Sequence, residues 1–302
     1  MVSELLFYNS FANGHMSTIK FIIHNGEVVL NADLLTINNR AFRYGDGLFE
    51  SFRLINGEIP FLNQHLLRLK RGMKLLSYNP CDCISEEILL EFISDLCVKN
   101  HIEGSARIRL SVFRKDGGLY APESNDFDYI IESSPLEHNS YQLDTKGLII
   151  GISKTVRKPI NQLSEIKSSN ALLMVLAAQE AKKQKWNEAL LLNDKGNIAE
   201  ATSSNLFIVK DKTIFTPPIS DGALDGVMRQ QIAKIIKDSS YHLRVKSISP
   251  SELESADEIF LTNSVKGIIW VVGYGQKRFF NKASRELNTL LNQYIEFLNI
   301  AN

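Results

Sequence analysis

Residues 188–207 read Glu188-Ala189-Leu190-Leu191-Leu192-Asn193-Asp194-Lys195-Gly196-Asn197-Ile198-Ala199-Glu200-Ala201-Thr202-Ser203-Ser204-Asn205-Leu206-Phe207. The short apolar run Glu188–Leu192, rich in leucine and bounded by turn residues, predicts a buried strand. Asp194-Lys195-Gly196-Asn197 is a turn. A strand-like Asn197–Ala199 leads to a single acid, Glu200, and the polar Thr202-Ser203-Ser204 opens a further strand at Asn205–Val209. Upstream lie a buried-type strand at Leu148–Ile152 and a helix from about Asn170 to Lys185, rich in Ala, Leu and Met. Downstream, a helix near Gly226–Lys237 follows a glycine-bearing loop. Ser249-Pro250-Ser251-Glu252 is a capping box with proline at the first helical position. Strands follow at Glu258–Leu261 and Ile268–Val272, then an amphipathic helix turning Leu287, Leu291, Tyr294, Ile295 and Leu298 inward.

The amino-terminal half has its own pattern. Asn25-Gly26 and Asn56-Gly57 are hairpin signals, the second predicting a strand at Glu58–Phe61. Leu62, Leu66, Leu69, Met73 and Leu76 form one helical stripe, and Ser85-Glu86-Glu87 opens another helix. Ser105–Arg114 alternates: Ala106, Ile108, Leu110 and Val112 on one face, Arg107, Arg109, Ser111 and Phe113 on the other. After a strand at Asp128–Glu132, Ser133–Asp144 is polar, carries Pro135 and predicts a linker. The pattern gives a mixed α/β (α+β) chain in two domains: a smaller one over 18–134, a connection at 135–144, and a larger one over 145–302.

Composition narrows the function classes. The chain of 302 residues balances 34 basic against 34 acidic side chains, which gives no bulk electrostatic reason for a nucleic-acid or membrane partner. No apolar run approaches the roughly 20 residues that span a bilayer, and the first residues lack a secretory pattern. Three cysteines, Cys81, Cys83 and Cys97, argue for a reducing compartment, hence a cytoplasmic protein. Cys81-Asp82-Cys83 has no second pair to complete a metal site, so no metal is expected.

Four places carry chemistry. Lys167, just before a helix, becomes a Schiff-base nucleophile if burial or neighbours lower its pKa. Glu200 is a carboxylate that can hold a pyridine nitrogen protonated. Gly222–Arg229 is a loop opening a helix, whose first N–H groups suit an anion such as phosphate. Arg68, beside the apolar stripe of its helix, offers a fork-shaped donor.

Together these residues resemble the class IV (fold type IV) aminotransferases, a family holding branched-chain aminotransferases, D-amino-acid aminotransferases and 4-amino-4-deoxychorismate lyases. The resemblance runs from about Ile23 to Val272. It rests on Arg43-Tyr44-Gly45-Asp46-Gly47-Leu48-Phe49-Glu50, His65-x-x-Arg68-Leu69, Lys167, the stretch from Glu188 to Phe207, Gly226-Val227-Met228-Arg229 and Ala256-Asp257-Glu258. It implies a D-amino-acid aminotransferase-like fold, a homodimer and pyridoxal 5′-phosphate as cofactor. It makes Lys167 the Schiff-base lysine, Glu200 the pyridinium partner, and Arg68, the amides of Val227 and Met228, and Ser264 the phosphate contacts. Leu224 would pack on one ring face, and Tyr44 and Arg109 would meet substrate. Apart from the resemblance, Arg107 shares the strand face of Arg109 and Lys266 follows Ser264, which makes both further substrate candidates.

Within the family, Lys167-Ser168-Ser169-Asn170 and Thr262-Asn263-Ser264-Val265-Lys266-Gly267 are more similar to the lyases, which release 4-aminobenzoate and pyruvate in folate biosynthesis. Branched-chain enzymes usually show Gly-Thr-Ala-Ala where this chain has Asn263-Ser264-Val265-Lys266. Trp270 departs from the proline many members carry. A class IV aminotransferase acting on branched-chain or D-amino acids with a 2-oxo acid is the alternative. A cofactor-less binding protein of the same fold is a third reading, against which Lys167 and Glu200 both stand.

Overall fold

The structure, a computed structural model, describes residues 20–31, 34–80 and 84–301, with side chains placed to 298. The Cys81-Asp82-Cys83 reading lies outside the described residues, among which no cluster of metal-ligating side chains occurs.

Strands β1 (Phe21–His24) and β2 (Glu27–Leu30) form the expected hairpin. Its turn needs positive φ at Asn25 (51°) and Gly26 (92°), which this residue pair tolerates. A short helix α1 (Arg40–Tyr44) precedes β3 (Gly47–Ile55). Asn56-Gly57 also turns, yet only Ile55 bridges back to Glu58, and Phe61 already starts α2 (Leu62–Leu75). The expected strand at Glu58–Phe61 is therefore absent, because helix α2 claims the chain after one bridge. Helix α3 (Glu86–Lys99) begins at Ser85, whose hydroxyl accepts from the amide of Ile88. Strands β4 (Ser105–Arg114) and β5 (Phe127–Leu136) complete an antiparallel sheet of order β2-β1-β5-β4-β3. Strand β5 runs four residues past Glu132 into the polar stretch read as linker, since Ser133–Leu136 pair with Ser105–Ile108 of β4.

Residues directly opposite on β3 and β4 share a face. Leu48, Phe52, Ala106, Ile108, Leu110 and Val112 lie in one buried core with the apolar faces of α2 and α3. The opposite face carries Phe49, Ser51 and Arg53 beside Ser111, Arg109 and Arg107, in that register.

The second half builds β6 (Leu148–Lys158), α4 (Leu172–Gln184), β7 (Glu188–Asn193), β8 (Ile198–Ala201), β9 (Asn205–Lys210) and β10 (Thr213–Thr216). Helix α5 (Val227–Ile235), β11 (His242–Val245), α6 (Pro250–Ser255), β12 (Glu258–Asn263), β13 (Gly267–Tyr274), β14 (Lys277–Arg278) and α7 (Lys282–Ala301) follow. The strands form a curled mixed sheet of order β11-β10-β9-β12-β13-β6-β7-β8, with β14 beside β13. Ser249 and Glu252 make the capping box of α6. Ala283, Leu287, Leu291 and Ile295 of α7 are buried against α5 and Phe260. Trp270 donates its indole N–H to the carbonyl of Asp144 at 2.7 Å, so the departure from proline here serves the segment that joins the two sheets.

Candidate active site

Edge strand β3 carries the site. The segment around Lys167 adds backbone to it: the amide of Phe49 donates to the carbonyl of Lys167 at 2.9 Å, and that of Ser169 to Gly47 at 2.8 Å. Lys167, although it follows β6, is thereby fixed against the first sheet. A cavity of about 660 Å³ opens between this edge, the segment 158–174 from the end of β6 to the start of α4, β8, the start of α5 and the turn between β12 and β13.

The cavity collects Arg68, Arg107, Arg109, Lys167, Glu200, Leu224, Val227, Met228, Ser264 and Lys266, ten of the residues singled out from the sequence. Tyr44 stands apart from these in the single chain. It does not line the cavity: its ring packs on Tyr120 (5.6 Å between centroids) and under the Arg40 guanidinium (5.0 Å). Helix α1 ends at a left-handed Gly45, and Arg40, bonded to the carbonyls of residues 117–120, holds Tyr44 on that side.

Lys167 is half-buried beside the Phe49 ring, with Nζ 4.4 Å from its centroid. Burial first, then the Arg68 guanidinium, lowers its pKa from 10.5 to about 8, against the pull of Glu50 and Glu200. Glu200 is buried on β8: one oxygen accepts the amide of Leu224 at 2.8 Å, and the other meets Lys158 Nζ at 2.5 Å. Lys158 had no sequence signal, since it reaches Glu200 from β6 across the intervening β7 rather than through any local motif. Phe49 stood inside a quoted motif without a role. The structure places the Arg109 guanidinium carbon 3.9 Å from the centroid of the same ring.

Opposite Lys167, α5 begins at Gly226 with no side-chain cap, so its first-turn N–H groups have no partner within the helix. Only glycine fits there, because a Cβ would stand 1.8 Å from Asn205 Oδ1. Arg68 reaches this point and donates Nη1 to the carbonyl of Asp225 at 3.1 Å. Ser264 lies on the turn between β12 and β13, held from behind by the Tyr141 hydroxyl on its carbonyl at 2.8 Å.

A lysine poised near neutrality, a buried carboxylate, and open helix amides beside an arginine fork make one set: an amine for an aldehyde, an acid for a ring nitrogen, and donors for a phosphate. This combination defines a site for a phosphorylated pyridine aldehyde, and no other group in the cavity conflicts with it. Residues 47–274 match the family model described as amino-transferase class IV, and the chain belongs to that family. It is 31% identical to the aminodeoxychorismate lyase of Bacillus subtilis (strain 168), over 81% of this chain and 83% of that one. It is also 31% identical to a putative branched-chain-amino-acid aminotransferase of Methanocaldococcus jannaschii, over 89% and 93%. Its fold matches a T.th. branched-chain amino acid aminotransferase solved in complex with N-(5′-phosphopyridoxyl)-L-glutamate, with a TM-score of 0.79 at 25% identity, over 91% and 93% of the two chains.

Proposed function

We propose that this class IV enzyme, with pyridoxal 5′-phosphate as its cofactor, is a 4-amino-4-deoxychorismate lyase. The observation that carries the reading is the charge of the cavity. Its lining offers Arg68, Arg107, Arg109, Lys158, Lys167 and Lys266 against one carboxylate, Glu200. Arg68 and Lys158 have acidic partners of their own in Glu50 and Glu200. Among the described residues, the only acid that Arg109 meets is the half-exposed Glu132, at 3.7 Å. Arg107, Arg109 and Lys266 are thus the cations left for a substrate with two carboxylates. The Asn263 side chain adds support. Its Oδ1 accepts the amides of Val265 and Lys266 at 3.2 and 2.9 Å, filling a turn where the branched-chain enzymes usually have glycine.

The cofactor, when bound, supplies an electron-poor ring that stabilises the electron pair left by a departing proton. Glu200 supports that ring through its nitrogen. Val227, Met228, Arg68 and Ser264 would hold its phosphate, and Leu224 would pack against the ring. Lys167 Nζ would be the base that takes the proton from C4 of the substrate. The bond from C3 to oxygen then breaks, the enolpyruvyl group leaves and takes up a proton to become pyruvate, and the ring becomes aromatic 4-aminobenzoate.

A second copy of the chain completes the assembly in this reading. Ile37, Phe42, Leu119 and Tyr120 are exposed by 76%, 76%, 76% and 89%, a large apolar area for one side of a monomer. They lie together because Arg40 ties α1 to residues 117–120. The deciding experiment offers purified enzyme aminodeoxychorismate without any 2-oxo acid and follows 4-aminobenzoate. Turnover under those conditions supports the lyase. Turnover only with an L- or D-amino acid and a 2-oxo acid would make the chain a transaminase.

A further inference from the structure

Behind Arg68 lies a buried carboxylate that takes no part in the reaction described above. Glu50 points to the core face of β3 and is 1% exposed. Its Oε1 accepts Arg68 Nε at 2.8 Å and its Oε2 accepts Nη2 at 2.5 Å. The same Oε2 stands 2.7 Å from His65 Nδ1. His65 and Arg68 are three residues apart on α2, so both reach one point on the strand. The His65 ring sits edge-on to Phe52, 5.3 Å between centroids.

Burial would push Glu50 up, but Arg68 and His65 overcome it and hold the carboxyl at about 2. Burial lowers His65 below its ordinary value, which leaves the ring neutral at pH 7 with Nδ1–H free to donate. A guanidinium has five N–H donors in a fixed plane. Two of these go to Glu50 and one to the carbonyl of Asp225. The remaining two are left for an anion beside the first turn of α5.

We propose that Glu50 and His65 are positioning residues that lock the Arg68 fork toward the start of α5, and so set the preference of the site for the phosphorylated cofactor over its dephosphorylated form. The inference rests on Arg68 meeting the phosphate but not on which reaction follows. Its sign separates it from a pure charge effect. Glu50 neutralises Arg68, so charge alone predicts that removing the carboxylate strengthens the grip on an anion. Positioning predicts that the grip weakens.

The experiment titrates cofactor-stripped protein with pyridoxal 5′-phosphate and, separately, with pyridoxal, reading absorbance and fluorescence. Glu50→Gln should raise the Kd for pyridoxal 5′-phosphate at least tenfold and leave pyridoxal binding unchanged. His65→Leu should move in the same direction, and His65→Asn, which keeps an N–H near the place of Nδ1, should restore most of the affinity. Thermal melts of the stripped proteins check folding, and if Glu50→Gln does not fold, the His65 pair carries the comparison. Unchanged or tighter binding of pyridoxal 5′-phosphate overturns the proposal, as does equal weakening of both ligands. Arg68→Lys tests the underlying assignment: if it retains full discrimination, the phosphate role of Arg68 fails first.

Discussion

The Lys167 amine gives the sharpest test of this site. A nucleophilic or proton-accepting amine must be neutral, and an ordinary lysine is almost wholly charged at neutral pH. With the pKa lowered from 10.5 to about 8, half of Lys167 is neutral at pH 8. An unperturbed lysine would be neutral there in roughly 0.3% of molecules, so the fold raises the reactive fraction ~150-fold. Trace acetylation of stripped protein across a pH series, followed by peptide mapping, reads this directly. The Lys167 peptide should show an inflection near pH 8, and the same peptide from denatured protein should show one near the ordinary lysine value. The neighbours fix the sign of two variants. Arg109→Gln removes a charge that lowers the pKa, so the inflection should rise; Glu200→Gln removes one that raises it, so the inflection should fall. An inflection at or above pH 10 in folded protein would refute the argument that burial and the Arg68 guanidinium activate this amine.

Three further outcomes follow from the same geometry. Glu200→Gln should leave borohydride-trapped cofactor on Lys167 but slow turnover more than tenfold, because an amide stabilises a protonated ring nitrogen poorly; steady-state rates with wild-type values would place the acid elsewhere. Arg109→Ala should raise the Michaelis constant for aminodeoxychorismate while cofactor affinity holds. A loss of stability with an unchanged Michaelis constant would instead assign Arg109 to bracing the sheet through Glu132, 3.7 Å away. Stripped protein should grow more stable as pH rises from about 8 to 10.5, since in that window the unfolded chain binds a proton that Lys167 in the folded chain does not. The gain is roughly 3 kcal/mol by linkage, and urea unfolding of Lys167→Met should lack it.

Sequence alone determined the local elements wherever one face is consistently apolar. The alternation of Ser105–Arg114, the stripe from Leu62 to Met73 and the box at Ser249–Glu252 all became the elements that their spacing predicts. It also singled out Lys167, Glu200 and the start of α5, because each carries a local signature next to an element boundary. It misjudged the ends of that reading: Glu58–Phe61 yielded to α2, and β5 ran through Pro135, where pairing with β4 outweighed polar composition. Which face of β4 meets the cavity was decided only by tertiary structure, since Arg107 and Arg109 look solvated until a second sheet stands opposite. The same holds for Lys158 on Glu200, 42 residues away, and for Arg68 at Asp225, 157 residues away. Tyr44 packs on Tyr120 and Arg40, outside the cavity lining of the single chain, a packing that no periodicity records. Periodicity fixes which side of an element avoids water, whereas the meeting of two buried charges depends on how distant elements are stacked, and no local pattern holds that information.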